Sequence, residues 1–321
     1  MAHLINKMAY VGATPWHGLG ARLTENASFE VWAKEAGLDF HVVRSAVQFE
    51  TASGMRSHPS REVLFRDDNF IPLGVVSNSY KVVQPADVMA FFKSIADIGS
   101  FKMETAGSLM DGQRIWALAK IDDGANIIGN DKVLPYIMMA TSFDGSMATI
   151  AKLTAIRVVC NNTLTLAQSK KGETKHNAVR VSHNKMWDGE KARLDLGLVK
   201  NSWEAYLVTA RRMAETKMSG FKADQILADV LGFDEDDAAS REKEAYTTIM
   251  ELFEGAALGS EMTQGRTVWQ FVNAITEYID HHKGASRLTD KSNESRLRNA
   301  WFGQGDKIKS AAFAAAAELV R

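Results

Sequence analysis

Between residues 152 and 193 nine lysines and arginines (152, 157, 170, 171, 175, 180, 185, 191 and 193) stand against three acids (173, 188 and 190). Clustered cations of this kind suit phosphate groups, because each contact releases counterions condensed on a polyanion. Lys152, Arg157, Lys170, Lys171, Lys175, Arg180 and Lys185 are the candidate phosphate ligands, with His176 and His183 interspersed. Phe143 and Trp187 flank the stretch and could offer rings on which unpaired bases stack. The expected partner is single-stranded nucleic acid, bound with a steep dependence on salt. A solvated charged face is the alternative reading of the same residues.

No other chemistry is written as plainly. A GxxxxGK[ST] phosphate loop is absent, and GLGARL at 18–23 lacks the third glycine and the preceding strand of a dinucleotide site. The histidines at 3, 17, 41, 58, 176, 183, 281 and 282 show no HExxH or HxH spacing, so no metal site is expected. Asp234 to Asp237 form an acidic run without the spacing that makes carboxylates converge on a cation. One cysteine, Cys160, excludes a disulfide within the chain and reads as a small buried hydrophobe. TPWHGLG at 14–20 is a tight turn with a tryptophan plug or a ligand-contacting loop. No cofactor is expected and catalysis is disfavoured; an enzyme would need a site assembled from distant residues, for instance His17 with Asp144.

The elements that must hold these residues follow from pattern. In a chain of 321 residues, 45% hydrophobic with only 5 prolines, there is material for one large or two ordinary globular domains. The N-terminus lacks a secretion-type segment, and no run of about 18 apolar residues occurs, so a cytoplasmic protein without membrane contact is expected. Segments 40–50, 61–66, 71–77, 80–84 and 113–121 read as strands, and 85–99 as a helix opened by Pro85 and closed by Gly99. Residues 133–159 predict the longest strand pair, turning at Asp144-Gly145. Along the second arm Lys152 and Arg157 break the alternation, which calls for a bulge or for cover on both faces. Asn161 and Asn162 are placed to cap a short helix from TLTLAQ, leaving the cationic stretch as a surface loop or arm.

Beyond residue 186 the spacing turns helical. Val199, Trp203, Tyr206, Leu207, Ala210, Met213, Ala214 and Met218 recur at three and four. Shorter helices are predicted at 223–231 and 241–254, a capping box at TVWQ (267–270), and a last helix at 307–320. The expected fold is α+β: a mixed or antiparallel sheet domain with a long central hairpin at 1–186, then a mostly helical domain at 187–321. Residues 215–261 reverse the charge, with twelve acids against four lysines and arginines. The acidic surface at 224–261 would suit a host protein instead of a nucleic acid, the rival reading.

TPWHGLG, TSFDGSMATIAKLTAIRVVCNNTLTLA, TVWQFVNAITEYIDHH and NAWFGQGDKIKSAA, in that order, resemble the phage/plasmid-like protein family known as domain of unknown function 932. The resemblance spans nearly the whole chain and implies a prokaryotic mobile-element setting, which favours DNA over RNA. It supplies no catalytic residues. An α+β sheet, a long hairpin, a basic arm and no nucleotide site are in outline similar to phage single-strand annealing proteins. That likeness implies ATP-independent strand annealing or recombination by a homo-oligomer.

Overall fold

A computed structural model describes the chain except residues 1–4, 13–19, 97–100, 158–161, 166, 171–172, 177, 197–198, 233–239, 263–264, 284–298 and 302. For 5–6, 162–178, 193, 195–202 and 240–243 it gives at most the backbone. His17, Cys160, the Asp234–Asp237 run and nearly all of TPWHGLG therefore lie outside the described residues. The class is α+β, as expected. Two compact units emerge, one from Met1–Ile121, Ile137–Lys152 and Ala178–Gly197, the other from Asp122–Tyr136, Leu153–Asn177 and Leu198–Arg321. They interleave along the chain, so no single cut, such as the expected one near residue 186, separates them.

In the first unit β3 (Val42–Thr51), β4 (Gly54–Arg66) and β5 (Pro72–Ser77) form a three-stranded antiparallel sheet. Gly54, at φ +109°, makes the turn between the first two. Residues 80–84 are not the strand expected from their Val content. The Gln84 side chain instead caps the β3 edge, accepting from Val42 N–H at 2.9 Å and donating to its carbonyl at 3.0 Å. That residue then leads into α2 (Pro85–Ala96), where the Asp87 carboxylate accepts the Gln84 N–H at 2.8 Å. Val88, Phe91, Phe92 and Ile95 on its inner face are buried, the burial that stabilises an amphipathic helix. α3 (Gly189–Leu196) packs against α2.

The larger sheet runs β11 (Asn162–Thr165), β10 (Thr149–Arg157), β9 (Lys132–Ser142), β7 (Arg114–Lys120), β6 (Lys102–Leu109), β1 (Ile5–Tyr10), β2 (Ala21–Arg22), with β14 (Ala178–Val181) also on β10 and β8 (Ala125–Asn126) on β9. It is mixed: β1 (Ile5–Tyr10) pairs in parallel with β2 (Ala21–Arg22) and antiparallel with β6 (Lys102–Leu109). β7 (Arg114–Lys120) is buried along nearly its whole length. The predicted central hairpin is present as β9 (Lys132–Ser142) and β10 (Thr149–Arg157). Its connection is the six residues 143–148, with positive φ at Gly145 alone, so it is longer than the tight turn expected. Every β10 residue but Ile156 is buried. Cover on both faces explains the broken alternation.

The segment after β10 departs from expectation. TLTLAQ is not helical: β11 (Asn162–Thr165) pairs antiparallel with β10, Thr154 opposite Thr165 and Arg157 opposite Asn162. β12 (Ala167–Lys170) and β13 (Glu173–His176) form a two-stranded hairpin, and β14 (Ala178–Val181) returns to pair with residues 149–152. Alternating threonines suit a pleated surface. The free edge of β10 and the helices packed on β11 and β12 decide the outcome that local capping residues suggested otherwise.

The second unit holds α4 (Val199–Glu215), α5 (Gly220–Leu231), α6 (Ser240–Glu251), α7 (Val268–Glu277) and α8 (Gln304–Glu318). Thr267 caps α7 by accepting from Gln270 N–H at 3.2 Å, and all ten residues of that helix are buried. Tyr206 lies in an aromatic stack between Trp203 and Phe313, with centroids 5.4 and 5.3 Å apart. Beside it Arg157, 2% exposed, donates to both Asp131 oxygens at 2.7 and 2.9 Å and to the Leu258 and Gly259 carbonyls. Trp269 Nε1 adds a further bond to Asp131 at 2.8 Å. No helix among the described residues is long and apolar enough to cross a membrane.

Removing one partner of such a pair leaves a charge buried without its counterion. Asp131→Ala is expected to lower stability by about 3–5 kcal/mol, read as a fall in the urea midpoint followed by circular dichroism. The joint replacement Arg157→Met with Asp131→Leu should recover much of that stability.

Candidate functional site

The first unit carries a cleft of about 560 Å³ where the hairpin tip, the end of β5 and the end of β14 meet. Its floor is apolar and aromatic: Val76, Tyr80, Met147 and His183 line it and are buried. Its rim is polar and exposed, with Arg61 from β4, Ser79 after β5, Ser146 in the hairpin connection, Arg180 from β14, and Ser182 and Asn184 just beyond.

Three local features build this shape. Tyr80 and His183 stack nearly parallel, centroids 4.2 Å apart at 14°. The Tyr80 hydroxyl donates to the Ser142 carbonyl at 2.6 Å, and burial pushes its pKa well up, so it stays a donor. The His183 ring nitrogens lie 2.8 Å from the Lys81 carbonyl oxygen and 3.1 Å from that of Met147. An imidazolium could donate to both, a neutral ring to one. Burial pulls the His183 pKa down and outweighs the two carbonyls and Asp144, which pull it up. The neutral ring lies between the β5–α2 connection and the hairpin tip and donates to one of these two carbonyls.

The hairpin tip is shaped by one carboxylate. Asp144 accepts from Ser146 N–H at 2.9 Å, from Ser146 Oγ at 2.6 Å and from the buried Arg114 guanidinium at 2.8 Å. Arg114 also donates to Ser146 Oγ at 2.9 Å. Burial alone would raise the Asp144 pKa; the two Ser146 bonds and then the Arg114 charge outweigh it and hold the group below its usual range. The tip can sit on β5 because residue 74 is glycine. A Cβ there would lie 2.6 Å from Asp144 Cα and 2.8 Å from the Phe143 carbonyl oxygen.

With Asp144 neutralised by Arg114, the charge left on the rim is that of Arg61 and Arg180. Neither forms an ion pair with a described residue. Among the described residues no group of three or more His, Cys, Asp or Glu is placed to hold a metal.

The cationic track read from the sequence is redistributed. Arg180 reaches the rim, and Lys185 is exposed nearby, its N–H on the Ser182 carbonyl. Lys152, 6% exposed, is interior, and Arg157 is held by Asp131, so neither is a surface phosphate ligand. β10 is covered on both faces, which turns its cations inward. Phe143 is 0% exposed and packs edge-on against Phe40 at 6.2 Å, so it offers no ring to a base. Trp187 is half-buried against Phe91 at 5.8 Å. Lys171 lies outside the described residues, as do the side chains of Lys170, Lys175 and His176. Arg61 and Tyr80 were not legible as site residues: they stand seventy or more positions before the basic run, and only the packing of two separate sheets brings them to it.

The model of the family described as domain of unknown function (DUF932) matches residues 72–301, well over half of the chain. No curated protein and no solved structure matches.

Two outcomes follow from the tip geometry. Gly74→Ala should force the connection off β5 and lower the thermal midpoint, at a cost of about 1–3 kcal/mol typical of overpacking. Because the folded Asp144 pKa is depressed, its share of stability is complete above an ordinary carboxylate value of about 4 and is lost as pH falls through the folded value. Asp144→Asn should flatten the acid limb of a stability-against-pH profile below about pH 4 relative to the parent chain.

Proposed function

We propose that this chain, which belongs to the DUF932 family, binds single-stranded nucleic acid through the cleft of its first unit. The observation that carries the reading is the pair of rim guanidinium groups, Arg61 and Arg180, left without a carboxylate while the cleft's acid is neutralised from within. Guanidinium presents a planar fork that matches phosphate oxygens. Ser79, Ser182 and Asn184 beside it supply neutral donors of the kind that position a backbone. Exposure of the whole rim suits a chain lying across the cleft better than a small molecule enclosed within it. Lys185 continues the positive edge.

DNA is the favoured nucleic acid, through the mobile-element setting that the family resemblance implies. In this reading the protein is not an enzyme and uses no cofactor; it assembles as a homo-oligomer and promotes annealing of complementary strands without ATP. The acidic residues between 215 and 261 favour a host protein as a second partner, by charge alone.

Fluorescence anisotropy with a labelled 30-nucleotide single strand tests the binding. The parent chain should bind at 50 mM salt and weaken steeply by 200 mM. Arg61→Ala with Arg180→Ala should cost at least tenfold in affinity and lower the slope of log K against log salt by about 1.4, since each of the two arginine–phosphate pairs contributes roughly 0.7 on a single strand. Absence of binding by the parent chain at low salt would overturn the reading.

A further inference from the structure

Residues 44–61, the outer part of β3 and β4 with the turn between them, include no buried residue. A two-stranded ribbon without a core is marginal in water, and this one is rooted at its base, where β4 pairs β5 from Arg61 onward, Arg44 meets Glu62 at 2.8 Å and Asn78 donates to the Pro59 carbonyl at 3.1 Å. Its two faces differ in chemistry. Residues opposite one another on an antiparallel pair project to the same side. Phe49 stands opposite Arg56, with Thr51 opposite Gly54 next along, so one face bears an aromatic ring and a cation. Glu50 stands opposite Met55 and Gln48 opposite Ser57, so the acid of the outer ribbon lies on the other face.

Phe49 is 48% exposed and, among the described residues, makes no ring contact, and Arg56 is exposed with no ion pair to any of them. The two large exposed hydrophobic side chains of the ribbon, Phe49 and Met55, lie on opposite faces, so neither face carries an apolar patch broad enough to hold a second protein copy. An aromatic ring beside an unpaired guanidinium is instead the combination that takes a base and its phosphate together. Arg56 and Arg61 share β4, five residues apart, with the shift in its pairing with β3 falling between them. The ribbon thus extends from the strand that carries the rim residue Arg61.

We propose that the Phe49–Arg56 face of this ribbon is a base-stacking subsite for the single strand whose phosphates lie in the Arg61–Arg180 cleft. The proposal rests on the nucleic-acid reading above and adds to it where the bases are held. It also relocates the aromatic role for which Phe143 and Trp187 are unsuited, the first by burial and the second by packing on Phe91. Because any base has a π-face, stacking here would be tolerant of sequence.

The test uses the full chain and two labelled probes of equal length, oligothymidylate and an abasic deoxyribose-phosphate strand. Phe49→Ala should weaken oligothymidylate binding about 5- to 150-fold, the equivalent of one stacked base. It should leave abasic-strand affinity and the salt slope unchanged. Phe49→Trp should keep the parent affinity and gain fluorescence that oligothymidylate quenches, beyond any quenching seen in the parent chain. Arg56→Ala should weaken both probes and lower the salt slope by about 0.7. If Phe49→Ala binds oligothymidylate as the parent does, loses equal affinity for both probes, or changes only the oligomeric state, the stacking subsite is wrong while cleft binding stands. If the parent chain binds neither probe, both fall.

Discussion

The buried pair of Arg157 and Asp131 is the constraint on which the second unit turns. Each charge loses its water on burial, a loss that only close geometry and full hydrogen bonding can offset. Here the carboxylate takes two guanidinium bonds and the Trp269 indole, while the guanidinium also reaches the Leu258 and Gly259 carbonyls. One side chain at the end of β10 thereby fixes a strand, a helix and the loop before that helix. The same bonds withdraw from the surface an arginine that the charge pattern alone would assign to a ligand. Lys309 with Asp280, at 2.8 Å and nearly as deeply buried, repeats the device between α8 and the end of α7.

In the first unit the corresponding constraint is a stack and a turn. Tyr80 and His183 stack on the floor of the cleft, and the Tyr80 hydroxyl holds the end of β9 from which the hairpin connection leaves. Asp144 folds that connection on itself and is answered by Arg114 from β7. For the proposed binding of a nucleic acid this electrostatic result matters more than the fold itself does. A carboxylate at the tip would repel a phosphate; paired inside the protein it leaves the rim positive. Gly74 makes the arrangement sterically possible, since a Cβ there would meet the tip's backbone.

The ribbon of β3 and β4 is built the opposite way. It extends past the last pairing with β5 with no buried residue, so its own packing contributes little, and its order depends on the root. An element of this kind suits a surface that a long, flexible ligand completes. Its two faces divide the charges so that the aromatic side carries only the cation.

What the sequence determined by itself were the features set over short range: the α+β class, the strands at β3, β4, β5 and β7, the Pro-initiated α2, the central hairpin, the α4 stripe and the Thr267 cap. Turn residues, caps and periodicity act within a few residues of themselves, and so they are legible locally. Family membership was legible too, in segments such as the hairpin and TVWQFVNAITEYIDHH. What only tertiary structure decided was which way each charge points and what lies next to it. TLTLAQ became a strand because β10 offered an edge and helices covered it. Lys152 and Arg157 turned inward because β10 is packed on both faces. Arg61 joined Arg180 across more than a hundred residues through tertiary packing, because the two stand on different sheets that meet where the hairpin tip lies on β5. Local pattern fixes an element's type, but the sign and neighbours of a surface come from long-range burial, where desolvating a charge is decided by a partner that can stand anywhere in the chain.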